Sequence, residues 1–250
     1  MSSESVVVVI PARYHSSRFP GKSLELIGGV SLLQRTYQQV LLSPVVTKCV
    51  IATDDSRICD HAHSFDAQVV MTPLECETGT DRVAWVVEQD PELQKNTIIV
   101  NVQGDEPCLN PKTIDSVVER LQTMPKAGIA TAVSPIHDEK DVENPNIVKC
   151  VQTASGTALY FSRQPIPYKK ADKSTPYYRH IGIYAFRPNY LLEYSNLPRS
   201  CLQESEDLEM LKALEHGGTI AVTQIERHAP EVNTPEDIIE VEKWIQSFYS

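Results

Sequence analysis

The chain has no window of apolar residues long enough to cross a bilayer, and its start has no charged segment followed by an apolar one, so the sequence predicts a cytosolic protein. It has no basic surplus either. With 23 Lys and Arg against 33 Asp and Glu, the net charge is −10, which argues against a nucleic-acid partner whose phosphates must be neutralised. A local cationic cluster can still dominate its own cleft, so small anions remain open as ligands. The six cysteines, Cys49, Cys59, Cys76, Cys108, Cys150 and Cys201, form no Cys-x-x-Cys pair and no zinc spacing with histidine. They read as small buried hydrophobes in a reducing compartment, with Cys108 beside a motif considered below. No nucleophile elbow and no dinucleotide glycine fingerprint is present, which removes the main hydrolase and redox signatures.

What is present begins at once. Val6 to Ile10 is a β-branched run that reads as a strand buried on both faces. Arg13, Ser16, Ser17, Arg18, Gly21 and Lys22 follow at its carboxyl end, where an α/β sheet binds its ligand. Three fixed cations with hydroxyls and a glycine between them suit a run of phosphates. Beyond this loop, strand-like runs at 48–53, 68–71, 97–102 and 129–134 alternate with helical periods near 31–42, 56–65, 80–90 and 111–122. The alternation predicts an α/β fold with a mostly parallel sheet and helices on both faces. From 146 to 186 strand-like segments follow one another without helices, around a Pro- and Lys-rich stretch, and read as an antiparallel arm suited to a dimer contact. Helices near 204–216 and 235–248 close a chain that reads as one domain, 1–250, the second opening with Thr234 as N-cap and Pro235 at the first position.

Several constellations can carry chemistry. Asp105, in Asn101-Val102-Gln103-Gly104-Asp105-Glu106-Pro107, falls at the same sheet edge as the first loop, where a carboxylate can hold Mg²⁺ against phosphates; a capped strand-to-helix turn is the lesser alternative. Glu77 to Arg82 opens a helix whose N-terminus can read an anion or a base edge. Arg163 suits a bidentate carboxylate contact, and His180 and Tyr184 can donate to sugar hydroxyls, although their alternation is also the ordinary face of a half-buried strand. Glu204, Glu206 and Asp207 are accounted for by a helix dipole, which leaves Glu209 the least explained acid of its segment.

In order and spacing, five motifs resemble those of the 3-deoxy-manno-octulosonate (Kdo) cytidylyltransferases: Ile10 to Lys22, Asn101 to Pro107, Tyr160 to Arg163, Arg179 to Tyr184, and Val232 to Asp237. The resemblance runs from residue 6 to about 245. It implies a three-layer α/β/α nucleotide-diphospho-sugar transferase fold, a homodimer, and a Mg²⁺-dependent reaction in which CTP and Kdo give CMP-Kdo and pyrophosphate, activating Kdo for lipopolysaccharide assembly. By the same resemblance Ala12, Arg13, Ser17, Arg18 and Lys22 would hold the CTP phosphates, and Thr80, Arg82 and Gln103 would lie near the nucleotide. Arg18, Lys22 and Asp105 would carry the catalysis, with Asp105 the main metal ligand and Asn233 the second. Arg163, His180, Tyr184 and Glu209 would meet the sugar acid.

The chain departs from the family pattern twice. Asn233 replaces an acid, which removes charge from the metal site and implies a higher Mg²⁺ requirement. Met210 replaces a Gln and cannot make an amide hydrogen bond. The first keeps open a nucleotide-binding homologue with weak catalysis; the second, a related acceptor such as an amino-substituted Kdo.

Overall fold

The computed structural model describes residues 4–15, 19–170 and 176–247. They gather into two compact units, Met1–Asp115 with Ala229–Ser250, and Ser116–His228. In the first, β1 (Ser5–Ala12) is buried at every position after Ser5, as its β-branched run requires. It pairs in parallel with β4 (Lys48–Thr53) on one side and β6 (Thr97–Val102) on the other, and β5 (Gln68–Met71) continues the sheet beyond β4. Four parallel strands therefore deliver their following loops to one edge. Between them lie α1 (Leu32–Leu41), capped by Ser31 Oγ; α2 (Ser56–His63), capped by Asp55; and α3 (Gly79–Gln89), whose Thr78 and Asp81 form a reciprocal capping box. A C-terminal helix, Asp237–Gln246, buries Val241 against Ile27, Leu32 and Val232.

The division between the units falls within α4 (Pro111–Thr123). In the second unit β7 (Ile129–Ile136) pairs in parallel with β11 (Ile220–Gln224) and antiparallel with β10 (Tyr177–Phe186), with a bulge between Ile181 and Tyr184. β8 (Lys149–Gln152) joins β10, and β9 (Ala158–Ser162) joins β8, both antiparallel, so the segment expected to run antiparallel does so. The fold is α/β. No helix among the described residues is long and apolar enough to cross a membrane.

The structure corrects several expectations. The helix expected over 204–216 is two, α7 (Cys201–Glu206) and α8 (Glu209–Glu215), separated by Asp207 in a left-handed conformation at φ 53°. The C-terminal helix starts two residues later than Pro235, because the Asp237 carboxylate accepts from the amides of both Asn233 and Thr234, at 2.8 and 2.7 Å, where a threonine cap would serve one. β2 (Leu26–Ile27) and β3 (Val30–Ser31) form a hairpin outside the expected elements, and Gly28-Gly29, both at positive φ, is a recognised signature of its tight turn. Only Cys49, Cys76 and Cys150 are buried, whereas Cys59 and Cys108 are half-buried and Cys201 is exposed. Cys108 packs against the Ile27–Val241 cluster, and burial pushes its thiol up to about 11.

Candidate active site

At the carboxyl edge of these four parallel strands, Gly21 is folded back onto Tyr14. Gly21 at φ 74° donates its N–H to the Tyr14 carbonyl at 2.8 Å, and a side chain there would be strained and pressed against the Tyr14 ring. This reversal presents Lys22, whose Nζ lies 2.6 Å from Asp105 Oδ2 and 3.2 Å from the Val232 carbonyl. The Val232 N–H in turn donates to the Asp105 carbonyl at 3.0 Å. Residues 22, 105 and 232, distant in sequence, thus form one knot, with Asn233 the next residue along. Gly104 permits this packing, because a Cβ there would come within 3.2 Å of the Pro11 carbonyl. Lys22 and Asp105 keep 17% and 23% of their side-chain surface exposed, enough for a ligand to compete for either.

Arg13 donates to the Glu77 carbonyl and so tethers the approach to α3. Ala12 is buried, which limits it to backbone contacts. Ser17 and Arg18 lie outside the described residues. Gln103 Nε2 donates to Asn101 Oδ1 at 3.2 Å, and Asn101 Nδ2 to Thr80 Oγ1 at 3.3 Å, a relay that couples the end of β6 to the first turn of α3. Thr80 and Arg82, which the resemblance places near the nucleotide, are both buried. The Arg82 guanidinium donates to Asp54 Oδ2 at 2.7 Å and to Thr72 Oγ1, so it braces the loops after β4 and β5. Asp54 was not singled out from the sequence, where its place after β4 was the available signal.

The expected sugar-acid residues lie in the second unit. His180 Nε2 shares a hydrogen bond with Thr131 Oγ1 at 3.0 Å, and its ring sits 4.8 Å from Phe161 and 5.5 Å from Tyr184. Burial lowers the His180 pKa to about 4, so the ring is neutral at pH 7 and can hydrogen-bond a ligand without carrying charge. Burial also raises the Tyr184 pKa, and the nearby Glu209 carboxylate adds to the shift. Glu209 opens α8, and its carbonyl accepts from Tyr194 Oη at 2.8 Å. Met210 is 2% exposed and belongs to the core. Arg163 faces the α7–α8 break, where its Nε donates to the Glu206 carbonyl at 2.7 Å.

His228 is likewise held neutral, its pKa lowered to about 3 by burial and then by Arg179. Both rings bind a proton below pH 6.5 only when the chain unfolds, so stability is complete above that pH and falls as pH drops toward 4. The expected loss is about 2 kcal/mol per histidine by pH 5. Thermal melts between pH 7 and 4.5 read it: His180→Gln and His228→Gln should each flatten the slope, and slopes equal to that of the unsubstituted protein would remove the account.

The family model described as Cytidylyltransferase matches residues 7–225. The 3-deoxy-manno-octulosonate cytidylyltransferase of Protochlamydia amoebophila is 48% identical over 243 residues, 96% of this chain and 94% of that protein. Its namesake in Chlamydia pneumoniae is 45% identical over 237 residues, 95% of this chain and 92% of that one. A solved structure of CMP:2-keto-3-deoxy-manno-octonic acid synthetase complexed with CTP superposes with a TM-score of 0.91 at 34% identity, covering 98% of this chain and 99% of its own. A cytidylyltransferase from Leptospira borgpetersenii, at 18% identity and TM-score 0.66 over 98% of this chain and 88% of its own, shares the fold. On the matched length, the identities and the shared architecture, the chain belongs to the cytidylyltransferase family and, within it, to the 3-deoxy-manno-octulosonate cytidylyltransferases.

Proposed function

We propose that the chain transfers CMP from CTP to 3-deoxy-D-manno-octulosonate, releasing pyrophosphate, with Mg²⁺ as cofactor. The observation that carries this reading is the Lys22–Asp105–Val232 knot at the carboxyl edge of a parallel sheet, in a chain that keeps its relatives' length. The anomeric hydroxyl oxygen attacks the α-phosphorus, the bond from that phosphorus to the pyrophosphate oxygen breaks, and the hydroxyl proton passes to solvent. Lys22, with Arg13 and Arg18, offsets charge on the departing phosphates. Ala12, Ser17 and Gln103 line the nucleotide, while Thr80 and Arg82 support it from behind. Arg163, His180, Tyr184 and Glu209 bind the sugar acid, and holding both substrates in register supplies much of the acceleration. We assign these steps to one catalytic domain, 1–250, that works in the cytoplasm as a homodimer through the arm at 146–186; exposed Leu159 and Tyr168 favour such a contact. Its product feeds lipopolysaccharide assembly.

The residues fit a magnesium ion. Asp105 offers a carboxylate and Asn233 an amide oxygen, both hard donors, and no set of three His, Cys, Asp or Glu ligands forms among the described residues. A sparse donor pair suits Mg²⁺, which draws its other ligands from water and substrate phosphates. Bound there, the ion would neutralise charge on the phosphate oxygens. Pyrophosphate release from CTP, with Kdo as acceptor and sialic acid or no acceptor as controls, across a Mg²⁺ titration tests the reading. Release that requires Kdo is expected; silence at every Mg²⁺ level with CTP still bound would overturn it.

Asn233 Nδ2 donates to Glu231 Oε1 at 2.9 Å. Asn233→Asp would set two carboxylates against each other there, a repulsion that a bound cation relieves. The half-saturating Mg²⁺ should fall about tenfold and Mg²⁺ should raise the variant's melting temperature more than that of the unsubstituted protein. An unchanged requirement would take Asn233 out of the metal site. Met210, being core, gives the related-acceptor reading no support beyond the substitution itself.

A further inference from the structure

Glu206 stands in the last turn of α7, the end of a helix that disfavours an acid. Its carboxylate works away from that helix. Oε1 accepts from Ser162 Oγ at 2.6 Å and Oε2 from the Arg163 amide at 2.9 Å, while the Glu206 carbonyl accepts from Arg163 Nε at 2.7 Å. Lys149 is fully buried, and its Nζ donates to three carbonyls, of Arg163 at 2.5 Å, Ile147 at 2.7 Å and Asn144 at 3.0 Å. Arg163 Nη1 donates to the Pro145 carbonyl at 3.1 Å and Nη2 to that of Asp207 at 3.2 Å. The amide, carbonyl and guanidinium of Arg163 are therefore each held, from both sides of the α7–α8 break and from the 144–149 segment.

The kind of partner matters. Three of the five guanidinium N–H donors go to neutral carbonyls, which fix the plane of the fork without cancelling its charge. Among the described residues, the carboxylate that pairs with the guanidinium is that of Asp207, its Oδ2 3.7 Å away on a side chain 98% exposed and so well screened. Glu206 spends its own oxygens on a hydroxyl and a backbone amide. What results is a held, partly exposed cation with, among the described residues, one N–H left on each Nη, the arrangement a carboxylate meets end-on.

We propose that Glu206 and Lys149 are positioning residues for substrate recognition: they fix Arg163 in the orientation that receives the carboxylate of the sugar acid. The proposal rests on the assignment of Arg163 to the acceptor made above, and it gives Glu206 a task beyond the helix dipole.

Steady-state kinetics of Glu206→Gln and Ser162→Ala, with amide hydrogen exchange at Arg163, test it. Glu206→Gln retains one acceptor oxygen and the side-chain volume. The KM for the sugar acid should rise about tenfold, that for CTP should stay within about twofold, and Arg163 should lose protection. Ser162→Ala frees one carboxylate oxygen and should shift the same constant in the same direction by less; it carries the test if Glu206→Gln fails to fold. An unchanged sugar-acid KM in a folded variant, or equal rises for both substrates, would overturn the proposal. If the unsubstituted protein released no pyrophosphate in response to the sugar acid, the functional reading would fall. Exchange at Arg163 would still decide the anchoring, with unchanged protection in Glu206→Gln refuting it.

Discussion

Asp105→Asn should lower turnover by roughly 10³-fold while leaving CTP affinity within a few-fold. The change preserves the shape of the side chain and one oxygen acceptor for Lys22 Nζ, now 2.6 Å away, and removes only the negative charge. That charge has two effects of opposite sign. It repels a triphosphate in the absence of a cation, so its loss should hold nucleotide affinity steady or tighten it slightly. It also provides the one full carboxylate of the proposed metal site, since Asn233 contributes only an amide oxygen, so its loss should remove the cation's help where charge builds on the phosphates. Equilibrium CTP binding and pyrophosphate release, measured on the same preparation across Mg²⁺ concentrations, separate the two effects. Turnover equal to that of the unsubstituted protein would refute the role of Asp105, and a parallel collapse of binding would make the residue structural.

Residue type made the site's position legible and left its wiring hidden. The β-branched run of β1 could only be a central strand, and a cationic loop after it with Asp105 after β6 had to share the carboxyl edge of a parallel sheet. The contact between Lys22 and Asp105 follows from that topology. The burial of Arg82 is not legible in the sequence, because arginine at a helix start ordinarily projects into solvent and it is the tertiary partner Asp54 that makes burial tolerable. The place of Glu206 is hidden for a related reason. A continuous helix over 204–216 would place it near the N-terminal end, where an acid is welcome, but the break at Asp207 makes it the last residue of α7. Nothing in the apolar pattern marks that break, because Leu208, Leu211 and Leu214 all lie beyond Asp207 and residues 203–206 carry no apolar side chain that would show it. The Gly28-Gly29 turn, in contrast, carries its signal locally, in the residue pair itself.

Asp54→Ala should be among the most destabilising single substitutions in the chain, although Asp54 touches no proposed substrate atom. Its partner Arg82 is fully buried, and of the guanidinium nitrogens Nε already has no hydrogen-bond partner among the described residues. Nη1 has Thr72 Oγ1, a neutral acceptor, so among the described residues Asp54 Oδ2, at 2.7 Å, is the counter-charge the cation meets. Removing one member of such a pair leaves an uncompensated buried charge, at a cost of about 3–5 kcal/mol, or roughly 10 °C in melting temperature for a chain of this size. The pair itself need not be worth that much, since desolvating both ions opposes their attraction. The double substitution Asp54→Leu with Arg82→Met should accordingly regain most of the lost stability, a coupling that two independent effects would not produce. Activity should not follow: the bracing of the loops after β4 and β5 would be gone, so the double variant should melt near the unsubstituted protein and turn over slowly. Additive losses in the melting temperature would show that Asp54 and Arg82 act separately, and full activity in the double variant would show that Arg82 braces nothing the reaction needs.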